Sequence, residues 1–142
     1  MLQRLLPLLI SGIVVASAPT GADQKNTSTA PDVVAGAVES CLELKFPNSM
    51  ARPKGFDINA HLAKVEKSYR HLIAKLANPD GLKQIDSYLG SQRDDVEVLC
   101  AVEIAGETNL KAAVPLLQRY VESPIYGVSD KAKSYLAVLG KK

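Results

Sequence analysis

Tryptophan is absent from this chain of 142 residues, and phenylalanine occurs only twice. A core must therefore be assembled mainly from aliphatic side chains, and no aromatic platform for stacking bases is on offer. An excess of one charge is missing too. The 17 Lys and Arg stand against 15 Asp and Glu, and the lysines are scattered singly among acids. That pattern describes a solvated helix surface and lacks the basic stripe of a nucleic-acid binder, so nucleic acid is not an expected partner. No C-x-x-C, H-E-x-x-H, G-x-S-x-G or glycine-rich phosphate loop occurs, which leaves the common metal, hydrolase and nucleotide constellations without a foothold. His61 and His71 are ten positions apart, about 15 Å along a helix and about 80° around it, too far to share a metal. The neighbouring carboxylates Asp94 and Asp95 stand at a helix start, where capping and the helix dipole account for them. The expected class is a non-enzyme, with no catalytic residue, no cofactor and no metal.

The chain opens with a positively charged start at residues 1–4 and an apolar run over 5–15, shorter than the roughly 20 residues that span a bilayer. This reads as a secretory signal peptide. Cleavage after Ala18 would leave Pro19 at the new N-terminus, so cleavage after Ala22 is preferred, giving a signal peptide of residues 1–22. Residues 23–30 carry no large apolar side chain and read as a disordered lead-in. The remainder, 31–142, is enough for one domain and too little for two. Its two cysteines, Cys41 and Cys100, enter an oxidising compartment on this reading and are expected to pair.

Helical periodicity runs through the rest. Pro31 and Asp32 suit the first turn of a helix whose apolar stripe is Val34, Val38, Cys41 and Leu42, ended by Pro47. Residues 46–56 hold two prolines and a glycine and read as a loop. Asp57 caps a long helix with Ile58, Leu62, Val65, Tyr69, Leu72 and Leu76 along one seam. Asn78 and Pro79 open a third, carrying Leu82, Ile85 and Leu89 and stopped by Gly90. A fourth begins near Asp94, buries Val98, Leu99, Val102 and Ala105, and is expected to stop at Gly106. From Asn109 a fifth carries Leu110, Ala113, Val114, Leu117 and Val121, with Pro115 inside it predicting a kink or a late start. The last, 129–139, turns Ala132, Tyr135, Leu136 and Leu139 inward. No segment alternates as a strand would, so the fold class is all-α.

Gly106 placed over Gly140 aligns Ile104 with Val138, Val102 with Leu136 and Val98 with Ala132, a period of 34 residues. With Ala113-Val114-Pro115-Leu116-Leu117 opening a second helix, the segment resembles a HEAT-like repeat. The resemblance implies a small right-handed stack of helical hairpins, five to six helices in all, that binds through its second helices and inter-hairpin loops. Those positions make Gln84, Ser87, Tyr88, Ser91, Gln92, Arg93 and Tyr126 the partner-binding candidates, with Lys83, Asp86 and Ile125 beside them. The stripe through Leu82, Ile85 and Leu89 leaves Tyr88 off the core, so Tyr88 and Tyr126 are the expected anchors. The face built on the long helix from Asp57 is the alternative surface. In size, signal and helical build the chain resembles the periplasmic immunity proteins of type VI secretion amidase effectors. That likeness implies a protein partner, a peptidoglycan amidase whose cleft is occluded, and no membrane contact after signal cleavage. A homodimer is left open. A general periplasmic adaptor, and a carrier of a lipid or small ligand, are the competing readings.

Overall fold

The computed structural model describes residues 29–47 and 53–141. They form six α-helices and one 3-10 turn, with no strand among the described residues. In chain order these are α1 (Thr29–Lys45), α2 (Ile58–Leu76), α3 (Pro79–Gly90), α4 (Asp95–Glu107), α5 (Val114–Gln118) and α6 (Val128–Leu139). The expected signal peptide and most of the lead-in lie outside the described residues. Thr29 and Ala30, assigned above to the lead-in, are already helical.

Three helix starts follow from the residue just ahead of them. Asp57 Oδ1 accepts from the backbone N–H groups of Asn59 and Ala60 at 3.0 and 3.1 Å, satisfying two donors that the first turn of α2 leaves open. Asn78 Oδ1 accepts from Gly81 N at 2.7 Å, and Pro79 occupies the first position of α3, where a missing N–H costs nothing. Ahead of α4, the Asp94 N–H donates to Glu97 Oε1 at 2.9 Å, the reciprocal half of a capping box. Pro115 delays its helix as anticipated. The chain passes through a 3-10 turn, Lys111–Ala113, and α5 begins only at Val114, with Pro115 in its first turn. Asn109 has a left-handed φ of 59° and does not open the helix, and Val121 falls in the turn after it.

Helix α4 is the hub. It packs against α1, α3, α5 and α6, while α2 lies chiefly on α1. Small residues make this possible: Cys100, Ala101 and Ala105 are fully buried on α4 together with Val102 and Ile104. Cys100 is bonded to Cys41 on α1, with Cα atoms 5.9 Å apart, so the expected disulfide is present.

Gly106 does not stop α4. It lies inside the helix, buried, and a Cβ there would overlap the ring of Tyr135 on α6. The glycine is a point of close helix approach, which is why α4 and α6 can pack so tightly. The 34-residue register thus relates two helices that touch, although burial does not follow it to the end. Ile104 is fully buried, whereas Val138 is 56% exposed on the outer side of α6. Two stripes also shift. On α2 the buried residues are Tyr69, Ile73 and Leu76, with Leu62, Val65 and Leu72 half-buried, because α1 covers only part of that helix. On α3 they are Leu82, Ile85 and Tyr88, with Leu89 half-buried.

A charged network joins four helices across one side of the hub. Lys45 on α1 meets Glu103 at 2.7 Å, Arg70 on α2 meets Glu107 at 3.0 Å, and the Tyr135 hydroxyl on α6 donates to Glu107 at 2.9 Å.

Candidate functional site

Tyr88 occupies the last turn of α3 and is only 8% exposed, because α1 and α4 both close over that helix. Its expected role as a free anchor is therefore corrected: the ring belongs to the core. The hydroxyl donates to Glu97 Oε2 on α4 at 3.0 Å. Burial pushes the phenol up to about 12, and the bond to Glu97 adds to the shift, so it stays protonated and remains a donor at neutral pH. Glu97 moves the other way. The Asp94 backbone N–H, followed by the Tyr88 hydroxyl, holds its carboxyl below the usual glutamate value, and both of its oxygens are engaged.

The Tyr88 carbonyl gathers the chain beyond the helix. It accepts from the Ser91 hydroxyl at 2.8 Å and from Arg93 Nε at 3.0 Å. The Arg93 guanidinium lies over the Tyr88 ring, 3.5 Å from its centroid. A long, flexible side chain is thereby fixed in one plane by a hydrogen bond on one edge and a π face beneath it. Its outer Nη edge makes no hydrogen bond or ion pair with the described residues.

This arginine borders a groove of 280 Å³ between α1 and the start of α4, lined by Ala35, Val38, Glu39, Leu42, Tyr88, Arg93 and Glu97. The α1 residues and Glu97 were not among the candidates. Val38 and Leu42 read as core stripe, and Glu97 draws no reading at all; nothing in sequence spacing says that the edge of that stripe meets the turn after α3.

The remaining candidates are dispersed. Gln84 is half-buried and its amide donates to Asp80 Oδ2 at 3.0 Å. Ser87 and Gln92 are exposed, and Ser91 is exposed with its hydroxyl turned to the helix end. Tyr126 is 96% exposed on the loop before α6, next to Gly127, whose φ of 82° makes the turn. Ile125 beside it is half-buried. Lys83 and Asp86 line a second groove, of 320 Å³, between α3 and α5, where Asp86 pairs with Arg119 over a floor of Leu82 and Leu116. Of the seven candidates, Tyr88 and Arg93 share this groove.

The two histidines stay apart as well. His61 is half-buried and contacts Glu43 at 3.2 Å and the Phe56 ring at 5.4 Å, while His71 is exposed on α2. Among the described residues no group of three or more His, Cys, Asp or Glu could hold a metal ion, and no helix is long and apolar enough to cross a membrane. No family model, curated protein or solved structure matches this chain.

Proposed function

We propose that this chain acts by binding a protein, as a periplasmic immunity protein that occludes the cleft of a peptidoglycan amidase toxin. The observation that carries the binding part is the Tyr88–Arg93 platform. A contact residue already held in its bound conformation loses little freedom on association, so more of its interaction energy appears as affinity. The frame beneath is held in the same way, since the Cys41–Cys100 bridge fixes α1 to α4, the two helices that form the groove. A disulfide also suits an oxidising compartment such as the periplasm. Both grooves are open and at or below the lower end of the roughly 300–1,000 Å³ typical of small-molecule pockets, which favours a partner's side chains over a retained carrier ligand.

The toxin identity comes from the likeness in size, leader and helical build described for the sequence. The test is a rescue assay. Cells producing a type VI periplasmic amidase toxin to which this chain is cognate should survive when the chain is co-produced, and the purified proteins should show stoichiometric inhibition. Failure to bind or protect against that amidase would sink the toxin reading. Co-purification with envelope assembly machinery would point to the adaptor reading instead.

A further inference from the structure

We infer that the groove beside Arg93 receives a partner loop that presents an apolar side chain next to a single aspartate or glutamate. The inference rests on the binding reading above and names the chemistry of the partner at one place. A guanidinium has five N–H donors in a planar fork, and two parallel N–H groups match the two oxygens of a carboxylate. In Arg93 the Nε edge and the ring-facing plane are taken by Tyr88, so the fork is oriented and, among the described residues, its Nη edge is left over. The groove wall beside it is apolar, formed by Ala35, Val38 and Leu42 of α1.

The acids around the arginine limit the charge that can enter. Glu97 lines the groove, but both its oxygens accept hydrogen bonds, from the Asp94 N–H and the Tyr88 hydroxyl. Glu39 lines the α1 side and is exposed, and Asp94 and Asp95 stand exposed at the start of α4. These groups repel a dianion such as phosphate more strongly than a singly charged carboxylate, and they disfavour two acids in a row. Glu39 is itself placed to accept from a backbone N–H or an amine of the incoming loop. A volume of 280 Å³ suits one or two side chains, which agrees with a loop rather than a whole small molecule.

The test is selection of displayed random dodecapeptides on the oxidised protein, followed by titration of the recovered peptides. Selected peptides should share an apolar residue adjacent to one acid. Their affinity should fall roughly ten- to hundred-fold in Arg93→Gln, the scale of a charge-assisted pair. Ala35→Trp, an exposed change that fills the groove from α1, should weaken them too. Lys83→Glu, in the other groove, should leave them unchanged. A selection without acid-bearing peptides, or acid-bearing peptides that bind Arg93→Gln and Ala35→Trp as well as the parent, overturns the inference. So does displacement of the peptides by millimolar inorganic phosphate. The rescue assay separates the two claims: a parent chain that protects as well with Arg93→Gln as without it removes the groove and keeps the toxin reading. A parent chain that fails to protect removes the toxin reading whatever the peptides do.

Discussion

An alanine at position 106 would drive its methyl group into the root of the Tyr135 ring, at Cγ and both Cδ atoms. The ring cannot swing away freely, because its hydroxyl is held by Glu107. Glycine to alanine in a helix interior would by itself gain up to about 1 kcal/mol, while overpacking a close contact costs about 1–3 kcal/mol. Gly106→Ala is therefore expected to lower stability by about 1–2 kcal/mol, read as a fall in the urea midpoint at unchanged slope; a rise would mean that α6 can slide. Tyr88→Phe tests the other ring. It keeps the packing and the stacking surface for Arg93 but removes the donor to Glu97, for a loss of about 1 kcal/mol. Both residues show where the sequence was silent. A glycine reads equally as a helix end or as room for a neighbour, and the neighbour here comes from another helix. Tyr88 falls outside a stripe drawn for one covering helix, whereas α3 packs against α1, α2 and α4.

Helix starts were legible because a cap is local. Asp57, Asn78 and Asp94 lie within three residues of the groups they satisfy or that satisfy them, and each stands where the pattern places it. Asp57→Ala should cost about 1 kcal/mol by removing two accepted bonds from the first turn of α2. A thermal melt that does not shift would place the start of that helix under tertiary control. The start of α4 makes a prediction about acid. Glu97 has its folded pKa lowered, so its contribution is present above the ordinary glutamate value of about 4.3 and is lost as pH falls through the folded value. Glu97→Gln should thus be less stable than the parent at neutral pH, and the gap should close as pH drops below about 4. A gap that stays constant with pH would assign the loss to packing. The grooves, by contrast, were not legible, because each is formed by elements whose side-by-side placement depends on packing.

At the scale of the molecule, a bridge spanning 59 residues should stabilise by about 4 kcal/mol through restriction of the unfolded chain. Cys41→Ala with Cys100→Ala is expected to lose about that much, measured by denaturant titration against the oxidised parent. If reduced and oxidised protein unfold together, the bridge contributes little. The same bond also divides the molecule in a way unrelated to its energy. Everything between the two cysteines, α2, α3 and the Tyr88–Arg93 turn included, lies inside a closed covalent ring, whereas α5 and α6 lie outside it. Force applied on either side of that ring would travel through the sulfur atoms and bypass its contents. About 200 Å of chain, at up to 3.6 Å per residue, would be withheld from extension. Under load the segments outside the ring, α1 ahead of Cys41 as well as α5 and α6, are the ones that can be drawn out, while the arginine platform, inside the ring, would feel no direct pull.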